Sequence, residues 1–207
     1  MPLAIFMRHG EADNNVKRIL VGRNIESHLT NQGRRQVEDT AKCLKEISIG
    51  KVYVSPVIRA VETAQITCNV LGLEYQIDER LFEIELGKLV GMNYEEILDK
   101  HENLFLKFYS GDQQMLESFG VESFSMVKQR IQHILDEVID TYPDKNVLFI
   151  THLDPIKAAI SLLLDLRAEA LYRWHIRNAS LTILKHESKV LSLTGVNVMG
   201  IRRYLNE

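Results

Sequence analysis

Three short, mostly apolar runs, each followed by a stretch with helical periodicity, constrain this chain more than any other feature. Leu3–Met7, Lys51–Val54 and Val147–Ile150 are brief and closed by polar residues, glycine or proline. Such runs read as buried strands of a mostly parallel sheet with helices on both faces. Two of the helical stretches are clear. Val37, Thr40, Ala41, Leu44 and Ile47 share a face behind a Thr30 cap, and Ile58, Val61, Ala64, Cys68 and Leu71 share another that ends at Gly72. The expected fold class is α/β, a three-layer αβα sandwich around a mostly parallel sheet.

The remaining segments are less regular. Residues 11–28 read as a long loop, Glu74–Ile77 as a more exposed strand, and 79–93 as irregular chain punctuated by Gly87 and Gly91. Helical patterns at 94–108 and 123–140 flank a polar stretch at Gly111–Gln114, so 94–125 is expected to form a small helical lobe near the pocket mouth. Asp154 has the position of an N-cap with Pro155 as the first helical residue, continued by Ile156, Ala159, Ile160 and Leu163. Ser180–Leu184 and Val190–Thr194 read as strands joined by a turn near Glu187 and Ser188. No repeat or linker interrupts the chain, and a single domain over 1–207 is expected.

With 207 residues, 45% hydrophobic and 26% charged, the chain has the composition of a soluble globular protein with a sizeable core. A formal charge of -3 gives no electrostatic case for binding nucleic acid or an anionic membrane surface. The longest apolar runs, such as 158–164, fall far short of the roughly 20 residues that span a bilayer. No secretory pattern opens the chain, so a cytoplasmic location is expected, with Cys43 and Cys68 as reduced thiols on apolar helix faces. Oligomeric state, a homodimer included, is left open.

The candidate chemistry lies at strand ends. His9 follows Leu3–Met7 and is preceded by Arg8; His152 follows the strand that closes with Thr151. Ligands of open α/β sheets bind beyond the carboxyl ends of strands, so both imidazoles enter one crevice if those strands are neighbours. Either histidine alone is more often a hydrogen-bonded structural residue, but two at matched strand ends, one preceded by Arg8, reverse that preference. Arg59 falls in the first turn of a helix, where unpaired N–H groups and the dipole favour an anion, although a surface arginine is found there just as readily.

Taken together, these residues resemble the histidine phosphatase superfamily, the phosphoglycerate mutase-like proteins. The likeness covers Arg8-His9-Gly10-Glu11, Asn15, "LTNQGRRQ" at 29–36, "SPVIRAVETA" at 55–64, "LFEIELGKLVG" at 81–91, "GVESF" at 120–124, "ITH" at 150–152 and "NASLTIL" at 178–184. It implies a phosphoglycerate mutase-like sandwich and a phosphohistidine formed on His9. It also implies a phosphate clamp of Arg8, Arg59 and His152, with Asn15 as a further donor. Glu83 matches the proton donor, and Glu85 a neighbouring acidic position; in an extended segment the two point to one side, so spacing does not choose between them. The expected activity is that of a metal-independent phosphomonoesterase, like a histidine acid phosphatase. It would act on a small phosphorylated metabolite without a cofactor.

Leu153 and Asp154 depart from the glycine that often follows the second histidine, and Leu89-Val90 replaces a common tryptophan and glutamate. Both changes put substrate preference in question more than phosphoryl chemistry. Neither cysteine has arginine six residues on, and no Gly-Lys-Ser/Thr loop is present, which sets aside cysteine-phosphatase and P-loop chemistry. His101-Glu102 and His186-Glu187 lack a histidine at the spacing a zinc helix needs. Two alternatives stay in view. One is a cofactor-dependent phosphoglycerate mutase, which the compact "EIELGKLVGMNYEE" disfavours. The other is a binding module without turnover.

Overall fold

A computed structural model describes residues 2–100, 104–187 and 190–199. Its centre is one six-stranded sheet in the order β3-β2-β4-β1-β5-β6. Strands β1 (Leu3–Arg8), β2 (Ile49–Val54), β3 (Gln76–Ile77) and β4 (Asn146–Thr151) run parallel, and β5 (Leu181–Glu187) and β6 (Val190–Val198) add an antiparallel pair beside β1. Side chains alternate between two cores. Ala4, Phe6, Tyr53, Val147 and Phe149 enter one; Ile5, Met7, Val52, Val54, Leu148 and Ile150 enter the other. Both faces are therefore apolar, which is why these strands read as continuous runs. Phe6 and Phe149, opposite one another in register, stack at 4.8 Å.

Helices α2 (Asn31–Leu44) and α3 (Ile58–Leu71) cover the second core, after a short α1 (Asp13–Lys17) in the segment read as loop. Thr30 caps α2 by accepting the Gly33 N–H at 2.9 Å, and Gly72 ends α3 in the left-handed region at φ 68°. The first core is covered by α7 (Phe124–Thr141) and α8 (Leu153–Ser161). Its edge carries the lobe of α4 (Tyr94–Lys100), α5 (Leu104–Ser110) and α6 (Gln113–Phe119), with α9 (Ala168–Arg173) against α5.

Several expectations change in detail. The pattern at 94–108 is divided between α4 and α5, with residues 101–103 outside the described residues, and the polar stretch after it caps a further helix, α6, through Asp112. Asp154 is not the N-cap of α8. His152 takes that place in extended backbone, putting Asp154 in the first turn beside the positive end of the dipole. Of the expected strand at 74–77 only Gln76–Ile77 pairs with β2. Cys68 is buried as expected, whereas Cys43 is half-exposed. Ser188, in the predicted turn, and the His101-Glu102 pair lie outside the described residues.

Candidate active site

The chain leaves β1 for helices on one face of the sheet and leaves β4 for α8 on the other. The carboxyl ends of these neighbouring strands thus form a topological switch point. Arg8 is in register with Thr151, and the His9 N–H donates to the Thr151 carbonyl at 2.9 Å. The two expected histidines therefore meet, their rings 5.2 Å apart and both almost fully buried.

The surroundings of His9 decide its tautomer. Arg59 Nε donates to His9 Nε2 at 3.1 Å, and a guanidinium has no lone pair to offer, so Nε2 is the unprotonated nitrogen. Nδ1 then carries the hydrogen and donates to the Gly10 carbonyl at 2.7 Å. Burial, followed by the charges of Arg59 and Arg8, holds the His9 pKa well below the ordinary value, so the ring is neutral. A neutral imidazole with its Nε2 lone pair in a pocket is a competent nucleophile. The backbone here is tightly packed. A Cβ on Gly10 would stand 2.7 Å from the Gly33 carbonyl oxygen, and one on Gly33 only 2.0 Å from that of Glu11. Glu11 itself accepts from the Thr30 hydroxyl at 2.7 Å and so ties the loop to the start of α2.

Three buried polar atoms around this nucleophile have no partner among the described residues: Arg8 Nε, Arg59 Nη1 and His152 Nδ1. All three residues belong to the cluster that the sequence nominates. An unsatisfied buried donor costs about 1–3 kcal/mol, so Arg8 Nε and Arg59 Nη1, joined by His152 Nδ1 in the tautomer whose Nε2 accepts from the Ser55 hydroxyl, mark a place for an anion that accepts several hydrogen bonds. The other atoms of these groups are held in place. Arg8 Nη1 donates to the Ile176 carbonyl, Arg59 Nη2 to that of Gly22 at 3.1 Å, and His152 Nε2 lies 2.8 Å from Ser55 Oγ. Burial pulls Arg59 down to about 10, which leaves it charged at neutral pH. Burial and the nearby Arg59 charge keep the His152 pKa well below its ordinary value; a phosphate dianion acts in the opposite direction. Helices α3 and α8 both start at the pocket without side-chain caps, which leaves first-turn N–H groups available.

The two glutamates are separated by the structure. Glu83 lines the pocket, and its pKa is pushed up to about 7 by burial and by the Asp154 charge, against the pull of Arg59 and Arg8. Glu85 instead accepts from Asn24 Nδ2 at 3.0 Å and from the Gly87 N–H at 3.2 Å, bracing the loop. Short 3-10 turns at Glu79–Leu81 and Gly87–Leu89 bound the segment. Its position is fixed by Thr151 Oγ1 on the Leu81 carbonyl at 2.6 Å and Arg23 Nε on the Glu83 carbonyl at 2.7 Å. Glu122, from the "GVESF" stretch, gathers Arg23, Arg130 and the Glu85 N–H on its carboxylate.

Asn15 also lines the pocket. Its Oδ1 accepts from the Ala12 N–H at 3.0 Å and from Asn178 Nδ2 at 3.2 Å, so its remaining capacity is the Nδ2 donor. Sequence reasoning gave Asn178 no role; its amide also donates to the His9 carbonyl at 3.1 Å and so fixes the loop behind the nucleophile. It placed Tyr109 among the residues of 94–125 that shape the pocket mouth, without a partner, and it missed Lys157. Tyr109 Oη donates to Asp154 Oδ1 at 2.6 Å and accepts from Lys157 Nζ at 2.9 Å, and all three residues line the pocket. The available signal was the spacing of Asp154 and Lys157, three apart on a helix that starts at His152. The cavity measures about 460 Å³, with apolar walls that include Leu89, Phe105, Phe108 and Trp174. Phe108 is both core, as expected, and pocket wall. Among the described residues, no group of three or more His, Cys, Asp or Glu side chains is placed to hold a metal ion, and no helix is long and apolar enough to cross a membrane.

Comparison with known proteins fits this geometry. Residues 4–199 match the model of the histidine phosphatase superfamily, branch 1. The chain is similar to a 2,3-bisphosphoglycerate-dependent phosphoglycerate mutase of Thermoplasma acidophilum, at 36% identity over 100% of this chain and 99% of the relative. Among solved structures, it is similar to a mycobacterial glucosyl-3-phosphoglycerate phosphatase complexed with VO3 (TM-score 0.83, 25% identity, 96% of this chain and 100% of the other). It is also similar to the phosphoserine phosphatase of Entamoeba histolytica in complex with 3-phosphoglyceric acid (TM-score 0.82, 26% identity, 96% and 98%).

Proposed function

Because this chain belongs to the histidine phosphatase superfamily, branch 1, we propose that it is a single-domain phosphatase that hydrolyses a small phosphomonoester through a phosphohistidine on His9. The observation that carries this reading is the neutral Nε2 of His9 beside Arg8, Arg59 and His152, each of which keeps one buried polar atom without a partner among the described residues. In the first half-reaction, Nε2 attacks phosphorus in line, the N–P bond forms and the ester P–O bond breaks. The departing oxygen takes its proton from Glu83, whose pKa of about 7 suits both halves of the cycle. In the second, the Glu83 carboxylate takes a proton from water, the new O–P bond forms and the N–P bond breaks, which releases phosphate and restores His9.

Arg8, Arg59, His152 and Asn15 hold the phosphoryl oxygens as negative charge moves between them. Their fixed geometry costs no reorganisation at the moment of reaction. Substrate must first replace the hydrogen bond from Arg59 Nε to His9 Nε2, which moves the guanidinium from nucleophile to phosphate. These groups supply the positive charge of the site, so catalysis is expected to be metal-independent. Phosphate release from p-nitrophenyl phosphate, undiminished by chelator and lost in His9→Ala, tests the reading. Activity abolished by chelator would overturn its metal-free form.

A phosphoglycerate mutase is the second reading, favoured by the 36% identical relative. A mutase must keep water from its phosphohistidine until a second acceptor oxygen arrives. Only a 3-10 turn at Gly87–Leu89 stands between Glu83 and α4, which offers little chain with which to seal the site. Incubation with 3-phosphoglycerate and 2,3-bisphosphoglycerate separates the readings: phosphate as the main product supports the phosphatase, and 2-phosphoglycerate the mutase.

A further inference from the structure

The Lys157 ammonium is the least explained charge in the pocket. The residue is 3% exposed and lines the cavity, yet its Nζ has one hydrogen-bond acceptor among the described residues, Tyr109 Oη. The same tyrosine ring lies 4.6 Å from the ammonium, which adds attraction from its π face but accepts no conventional hydrogen bond. An ammonium has three donors, so two are without a protein acceptor. The nearest carboxylate does not take them: Asp154 reaches Lys157 only through the tyrosine hydroxyl, which donates to the one and accepts from the other. Burial lowers Lys157 to about 8, so the group still carries its charge at neutral pH.

We propose that Lys157 binds a carboxylate of the substrate, which makes the substrate a small phosphorylated carboxylic acid. This rests on the reading of the site given above, with the phosphoryl group on the His9 side of the pocket. A carboxylate supplies several acceptor positions for the two spare donors and a single negative charge for a single ammonium. A second phosphoryl group fits less well, because a dianion in this wall would be opposed by Asp154 and only half compensated by Lys157. A neutral hydroxyl would accept one donor and leave the other unmet. Lys157 is thus a specificity-determining residue that takes no part in the bonds that change.

The test compares esters that differ by the carboxylate: 3-phosphoglycerate against glycerol 3-phosphate, and phosphoserine against phosphoethanolamine. Binding is measured by calorimetry in the His9→Ala background, which does not turn substrate over, with Lys157→Met and Lys157→Arg added in turn. The expected preference for the carboxylate ester is about 10- to 100-fold in Kd, the range of one charge-assisted contact. It should collapse toward unity in K157M and be kept in part by K157R. Equal binding of both members of each pair by His9→Ala alone, or an unchanged preference in K157M, would overturn the proposal. Should K157M not fold, the preference of the parent and its retention in K157R still decide. Turnover of p-nitrophenyl phosphate by the wild type is read separately. Its absence counts against the phosphatase reading while the binding preference stands or falls on its own.

Discussion

The floor of the pocket and its far wall handle charge in opposite ways. On the floor, Arg8 and Arg59, with His152 behind them against His9, keep buried polar atoms without partners among the described residues, held ready by strand ends and helix starts. On the wall, the Tyr109 hydroxyl donates to Asp154 and accepts from Lys157, and two ammonium donors are left over. The floor is built for an anion with many acceptors and fits any phosphoryl group. The wall satisfies most of its own polarity and accepts only what completes it. On the proposed reading chemistry and selectivity sit on different elements, the first at the ends of β1 and β4, in the first turn of α3 and in the loop that carries Glu83, and the second on α5 and α8.

That division can be broken from the floor first. His9→Ala should reduce phosphate release by about 10⁴-fold or more, the scale of losing a nucleophile. Arg59→Lys should cost about 10²–10³-fold in kcat, because a lysine cannot reproduce the fork that meets both His9 and Gly22. Steady-state kinetics on p-nitrophenyl phosphate checks both, and a mild effect of Arg59→Lys would reduce the clamp to a point charge.

Glu83→Gln sharpens the comparison because Glu83 stands between the two regions. In the first half-reaction its loss should be about 10²-fold or more on alkyl phosphates and much smaller for the burst of p-nitrophenolate, whose departure needs little protonation. The second half-reaction should slow with either ester. The sign of the pH dependence follows from the raised pKa. Below about 7 the carboxyl keeps its proton and can give it to the leaving oxygen. As pH rises through about 7 that proton is lost from the free protein, so kcat/KM on alkyl phosphates should fall, and the fall should be absent in Glu83→Gln. Glu122→Gln loosens the Arg23 and Arg130 contacts that hold the loop and should cost about tenfold in kcat on the same esters. The smallest effect belongs to the wall. Tyr109→Phe should change KM by a few-fold with kcat nearly kept, since it removes a positioning hydroxyl remote from phosphorus. A kcat loss as large as that of Glu83→Gln would erase the distinction between floor and wall.

How far each region can be read from sequence follows the same line. The floor was legible because Leu3–Met7 and Val147–Ile150 are apolar on both faces, which places them centrally in a parallel sheet and sets His9 beside His152. The place of Arg59 in the first turn of a helix left a surface residue equally open, and only the resemblance of "SPVIRAVETA" assigned it to the clamp. The wall was not, because Tyr109 arrives from a lobe whose helices are short and broken, and nothing local says that it meets α8. Nothing in the sequence singles out Lys157, and only its burial makes it unusual. Glu83 and Glu85 could not be told apart, since an extended chain sends both to one side. The choice comes from tertiary contacts: Asn24 engages Glu85, and Arg23 holds the backbone of Glu83.

The most direct test is to trap the covalent intermediate. Wild-type protein mixed with a phosphomonoester and quenched within one turnover should carry an acid-labile, base-stable phosphate on a peptide containing His9. The label should vanish in His9→Ala and accumulate in Glu83→Gln when the leaving group is p-nitrophenolate, because hydrolysis of the phosphoenzyme then lacks its base. Phosphate found on another residue, or undiminished turnover by His9→Ala, would contradict the account at its centre.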